Sequence, residues 1–172
     1  GSRRIGAGGR DGDVGGVAVA QDDSFVLVAE FLAFRIVRHW LTGPRAGTHD
    51  VFVDGLPGYP DNITRTPDGH FLVGLSLQRV PGLDKQRPHP WAVKMIYRLP
   101  SFLKPKAQYP GYLLEFDATG RLLRFAADAE PDNVAQVTSG AVLPGGDPRH
   151  GTRVVVGSLL VPSVRLLELQ PH

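Results

Sequence analysis

Most side chains able to do chemistry here stand in no pattern that assigns them a reaction. His39, His49, His70, His89, His150 and His172 show none of the spacings that gather imidazoles on a metal. Cysteine is absent, which excludes thiolate catalysis, Cys-ligated zinc and disulfides. Ser139 and Ser158 lack the glycine-flanked elbow that exposes a nucleophile. Glu30 ends a strand-like run; it either faces an interior channel or pairs with Arg35. His39 sits beside Trp40 in another such run and reads as structural, while Trp40 and Trp91 read as core or cover residues. Asp61 and Asn62 directly follow Pro60, where acid and amide side chains commonly start turns and strands by bonding nearby backbone. Asn62-Ile63-Thr64 is also a glycosylation acceptor pattern, which needs a secreted chain and an exposed asparagine.

The elements that position these residues are short strands. Apolar and β-branched runs recur between Gly, Pro and Asp clusters, the pattern of an all-β chain. The runs are Val17–Ala20, Phe25–Glu30, Phe34–Leu41, Asp50–Val53, Ile63–Thr66, Phe71–Leu75, Tyr112–Asp117, Leu122–Ala126, Ala135–Val142, Arg153–Leu159 and Val164–Leu169. Gln21-Asp22-Asp23, Pro67-Asp68-Gly69 and Ala118-Thr119-Gly120 supply turn chemistry between neighbouring runs. The stretch Val17–Val28 lies over Ile63–Gly74 at an offset of 46 residues, matching Asp22 with Asp68 and Phe25 with Phe71. A weaker third copy ends at Val155-Val156-Gly157. A period of about 40–50 residues with four strands per unit is that of propeller blades, the alternative being a β-sandwich with similar hairpins. The strands group as four, four and three. Between the second and third strands of the middle group, His89 to Pro105 has apolar spacings of three and four that predict a short amphipathic helix. It serves as a packing helix or as a lid. Residues 1–14 are glycine-rich with little apolar surface and read as a disordered lead-in to a domain over 15–172.

The chain has 172 residues, 42% of them hydrophobic, and a net charge of +2. Scattered Lys and Arg give no nucleic-acid footprint. No apolar run reaches the ~20 residues of a membrane span.

Read in order, Gly16-Val17-Ala18-Val19, Phe25–Glu30, Arg35–Leu41, Gly43-Pro44 and Val51-Phe52-Val53-Asp54-Gly55 lead to Leu56-Pro57-Gly58-Tyr59-Pro60-Asp61-Asn62-Ile63. This resembles the strictosidine synthase-like family, which includes plant strictosidine synthases and the adipocyte plasma-membrane-associated proteins. Val137-Thr138-Ser139 and Val156-Gly157-Ser158-Leu159 extend the likeness towards the C-terminus. The resemblance implies an all-β fold: a partial six-bladed β-propeller of about three blades, with one short helical insertion. It also implies a longer parent with a preceding half, and a place in the secretory pathway, in the endoplasmic reticulum or vacuole.

The family is related to calcium-dependent lactonases and esterases that hold calcium in the central channel. On that likeness Asp61 and Asn62 match an Asp-Asn pair of metal ligands, and Gly15 stands where relatives carry Asn in an Asn-Gly-Val motif. Calcium is therefore expected for a full-length relative rather than for this chain. The resemblance further implies a glutamate general acid/base on the first strand of the last blade, for condensing tryptamine with secologanin. The matching stretch, Ala135 to Ala141, holds no carboxylate, and no glutamate occurs between Glu130 and Glu168. The expectation is an ester- or lactone-hydrolase relative acting on a small molecule, without strictosidine synthase activity. A non-catalytic propeller that binds a partner is the alternative. Self-association through open propeller faces is expected as well.

Overall fold

The computed structural model describes residues 14–78, 111–128, 137–143, 152–158 and 164–169. Its strands are β1 (Val14–Val19), β2 (Phe25–Glu30), β3 (Arg35–Trp40), β4 (His49–Val53), β5 (Gly58–Arg65), β6 (Phe71–Gln78), β7 (Gly111–Phe116), β8 (Leu122–Asp128), β9 (Val137–Val142), β10 (Thr152–Ser158) and β11 (Val164–Leu169). They form three antiparallel sheets, β1-β2-β3-β4, β5-β6-β7-β8 and β11-β10-β9, each ordered as the chain runs. This is a partial propeller of three blades, the last with three described strands. Every run read from the sequence overlaps one of these strands, with Ala135, Gln136 and Leu159 outside the described residues. The predicted helix over His89–Pro105, with Trp91, lies outside the described residues, as do residues 1–13. Val14, the last residue read as lead-in, is already in β1.

Two of the differences are physical. β5 starts at Gly58, not Ile63, so Pro60, Asp61 and Asn62 lie inside a strand instead of in a turn before it. Proline is tolerated because β5 is an edge strand and Pro60 borders a break in register. The second difference is the turn length. The Ala20 N–H bonds the Phe25 carbonyl at 2.9 Å across Gln21–Ser24, whereas the Thr66 N–H bonds the His70 carbonyl at 2.8 Å across the shorter Pro67–Gly69. Val19 therefore faces Val26 in the first blade, while its counterpart Arg65 faces Phe71 in the second. The 46-residue match of Phe25 with Phe71 holds along the sequence but not in space. One residue of slip reverses the face a side chain occupies. Phe25 points at the second blade and Phe71 at the first, and their rings meet with centroids 5.9 Å apart.

That contact is the centre of the larger core. Phe25, Leu27, Ile36 and Phe52 of the first blade interleave with Ile63, Phe71, Val73 and Leu114 of the second. A smaller core joins Leu72 and Leu113 to Val137, Val154 and Val156 of the third blade. The second blade is thus buried on both faces, which explains why Phe71–Leu75 lacks the alternation of a half-buried strand. Close approach between blades relies on missing side chains. A Cβ on Gly16 would lie 2.5 Å from the Ile63 nitrogen, and one on Gly74 would lie 2.7 Å from the Thr138 carbonyl oxygen. No described helix is long and apolar enough to cross a membrane.

Candidate functional site at the inner strands

The first strands of the three blades stand side by side, β1 against β5 and β5 against β9. Each carries one extra residue relative to its partner. In β1 the ladder breaks between Val14 and Val17, which face Glu30 and Val28. In β5 it breaks between Pro60 and Ile63, which face Leu75 and Val73. In β9 Val137 faces Ser158 and Ser139 faces Gly157. Gly15-Gly16, Asp61-Asn62 and Thr138-Ser139 are therefore equivalent β-bulges, opposite Ala29, Gly74 and Gly157. A bulge leaves a residue unpaired and re-aims its side chain.

The segment before Asp61 is anchored on the first blade. Phe31–Ala33 form a 3-10 turn that ends at Phe34 in the left-handed region, with φ 55°. The Phe34 carbonyl accepts the Leu56 N–H at 2.9 Å. The Tyr59 ring packs on Phe31 and Phe34, with centroids 4.8 and 4.6 Å away. Leu56 is buried and Tyr59 is clamped, so Asp61 and Asn62 follow a fixed lead.

The three bulges differ chemically. Asp61 is half-buried, and that burial pushes its carboxyl above the usual range. Asn62 is exposed. Gly15, which the 46-residue repeat matches with Asp61, is in contact with it: a Cβ there would lie 2.6 Å from the Asp61 carbonyl oxygen. The Thr138 hydroxyl donates to the Gly157 carbonyl at 3.4 Å, and Ser139 is half-buried beside it. Asp61 is the sole ionisable side chain on the three bulges. Among the described residues no group of three or more His, Cys, Asp or Glu gathers to hold a metal.

The other candidates are structural. Glu30 is buried and bonds the Arg35 Nε at 2.5 Å, which settles its two readings in favour of pairing. His39 is buried beside His49, with ring centroids 5.4 Å apart. Trp40 lies under the guanidinium groups of Arg38 and Arg45, at 4.6 and 5.1 Å. Ser158 is in β10. Ala135, Gln136, Glu130, Trp91, His89, His150 and His172 lie outside the described residues.

Among the described residues, two charged groups, one around Asp50 and one around Glu115, escaped the sequence reading. Arg38 holds Asp50 through Nε–Oδ1 at 2.9 Å and Nη2–Oδ2 at 2.7 Å, and reaches the Ala118 carbonyl of the second blade at 3.3 Å. Glu115 is buried, with Arg124 Nε at 2.8 Å and His70 Nδ1 at 2.9 Å. Leu27 faces Arg38 and Leu72 faces Glu115, so the two pairs occupy one blade position with their charges exchanged. The hairpin turn at Ala118-Thr119-Gly120 is the signal that could have placed Glu115 across from Arg124.

His39 offers a pH test. Burial first, and then the charge of His49, hold its pKa below 6.5, with Glu30 opposing. The fold favours neutral imidazole, so this stability is present above about pH 6.5 and is lost as pH falls through the lowered folded value. Register makes Phe116 the counterpart of His39 in the second blade. His39→Phe should flatten the loss, as read by denaturant midpoints at about pH 7.5 and about pH 5. An unchanged acid loss would place it elsewhere.

No family model matches the chain. It is 32% identical over 160 residues to protein strictosidine synthase-like 10 of Arabidopsis thaliana, covering 90% of this chain and 41% of that protein. It is 34% identical over 161 residues to adipocyte plasma membrane-associated protein of Homo sapiens, covering 90% of this chain and 37% of that protein. The chain belongs to the strictosidine synthase-like family. It spans about two fifths of the length of these relatives. Among solved structures, a candidate gluconolactonase superposes with a TM-score of 0.52 at 15% identity, over 92% of this chain and 48% of that one. This strictosidine synthase-like chain therefore shares its fold with about half of that chain.

Proposed function

We propose that this chain forms the Asp61–Asn62 part of a channel that hydrolyses esters or lactones in a strictosidine synthase-like propeller. The observation that supports this is the β5 bulge, which turns a half-buried carboxyl out of its ladder where the three inner strands meet. Raised carboxyl pKa values concentrate at functional sites. The substrate class is a small neutral ester or lactone, and the accompanying location is the secretory pathway.

Calcium takes about six to eight oxygen ligands. Asp61 and Asn62 have the right donor chemistry and would hold such an ion from β5. Gly15 and Gly16 add no side chain, and the Thr138 hydroxyl is engaged with Gly157. The remaining donors would come from outside the described residues. A bound calcium would supply polarisation of the carbonyl and activation of water. Asp61 would bring the charge, Asn62 a neutral oxygen, and the bare glycines room for the substrate. Tryptamine–secologanin condensation is not expected, because Thr138 and Ser139 offer hydroxyls where an amine needs an ionisable partner. The bare Gly15 and the hydroxyl-only third bulge favour the second reading, a non-catalytic propeller that binds a partner.

Calcium titration followed through the backbone amide resonances separates these readings. Shifts centred on Asp61 and Asn62 are expected, with a dissociation constant of about 1 mM or weaker given so few ligands. Asp61→Asn should abolish them. Aryl-ester or lactone turnover that is lost with chelator and in Asp61→Asn supports the hydrolase. Calcium binding without turnover supports the binding module. No response at Asp61 to about 10 mM calcium sinks the metal-site reading. Condensation of tryptamine with secologanin above background, lost on mutation of the chain, would overturn the rest.

A further inference from the structure

Asp61 and Asn62 stand where their own sheet holds them least. The register of β5 with β6 is broken between Gly58 and Pro60 and again between Pro60 and Ile63. Proline has no N–H to give a ladder, and the extra residue of a bulge is left unpaired. Pairing with β6 therefore does not fix the stretch that carries the two side chains.

The first blade meets that stretch with two bare residues. A Cβ on Gly15 would lie 2.6 Å from the Asp61 carbonyl oxygen and 3.0 Å from that of Pro60. A Cβ on Gly16 would lie 2.5 Å from the Ile63 nitrogen and 2.6 Å from the Asn62 Cα. All four atoms are backbone, so no side-chain rotation makes room. A side chain at either position would enter β5 rather than the channel. The next joint is built alike: the β9 bulge is met by Gly74, on which a Cβ would lie 2.7 Å from the Thr138 carbonyl oxygen. Each bulge that carries polar side chains is thus received by a glycine of the blade before it.

We propose that Gly15 and Gly16 are positioning residues of the Asp61–Asn62 site. They seat the β5 bulge and so set where its carboxyl and amide oxygens stand. This rests on the calcium reading given above. Non-bonded carbon atoms sit about 3.5 Å or more apart, so a methyl group on either glycine drives β5 back by roughly 1 Å. Binding constellations must be held within about 0.5 Å. One methyl group should therefore spoil the site although every donor atom remains.

Calcium titration of the whole chain, followed through its amide resonances, tests this. Gly15→Ala and Gly16→Ala are each expected to weaken the response at Asp61 and Asn62 about tenfold or more. Gly120→Ala is the control, because a Cβ there meets the Phe52 carbonyl oxygen at 2.4 Å, crowding the same two blades away from the bulges. It should lower the urea midpoint and leave calcium affinity within about twofold. Gly15→Asn should weaken binding although it adds an oxygen. Tighter binding there would make position 15 a vacant ligand place and overturn the proposal. So would an unchanged response in both alanine variants, or an equal loss in Gly120→Ala. Calcium-free spectra of the native chain read the seat directly. Nuclear Overhauser contacts from the Gly15 and Gly16 Hα protons to the Asn62 and Ile63 amides are expected, and their absence overturns the proposal whether or not the variants fold. If those contacts are present and the native chain ignores calcium, the calcium reading fails and the seat stands.

Discussion

Phe71→Ala should remove about 3–5 kcal/mol of stability, the usual range for emptying a buried aromatic site. Phe71 is fully buried, and its ring meets Phe25 and Phe52, each with centroids 5.9 Å away. It sits in the interface between the first and second blades, so neighbours from two sheets would have to collapse into the space left. Domains have a total stability of about 5–15 kcal/mol, so the variant should be partly unfolded at physiological temperature. Phe125→Ala is the control: Phe125 is 63% exposed, and the change should stay within about 0.5 kcal/mol. Urea unfolding by fluorescence and circular dichroism measures both. If Phe71→Ala lost under about 1 kcal/mol, the first two blades would not be packed through that ring.

The second large effect is expected at Glu115. Its buried carboxylate accepts Arg124 and His70, whose side chains are partly exposed. Glu115→Leu leaves two donors facing a partly buried space, at an expected cost of about 3 kcal/mol. Glu115→Leu with Arg124→Leu should recover most of that loss, because replacing a buried pair by apolar residues is often neutral. The third blade already has leucine at the Glu115 position, as Leu166. A double-mutant cycle in urea reads the coupling directly. Additive losses would show that the carboxylate is held by something other than Arg124.

Both effects depend on features only partly visible in the chain. Glu115 and Arg124 lie on either side of a recognisable turn, so their pairing was within reach of a hairpin register. Arg38 and Asp50 are joined across a longer loop, where no register follows from the residues alone. Asp61 and Asn62 drew attention through the Leu56–Ile63 motif, but the residue types also fit a turn. The bulge that sets them apart from the β5 ladder exists only relative to β6. The equivalence of Gly15, Asp61 and Thr138 likewise needs three ladders to be compared.

Alternation of apolar residues, turn residues and the 46-residue repeat are local properties, and by themselves they determined the strands and their grouping into blades, while the Leu56–Ile63 motif carried the family likeness. A side chain's face depends on how many residues the preceding turn holds, and a one-residue difference reverses it. Tertiary structure therefore decided that Phe25 and Phe71, matched in the repeat, stand on opposite faces of their blades and touch each other. It also decided which glycines allow inner strands to meet, because a missing Cβ matters only where another blade's backbone arrives. The raised pKa of the Asp61 carboxyl has the same origin: burial comes from packing among blades, and no neighbour in sequence supplies it.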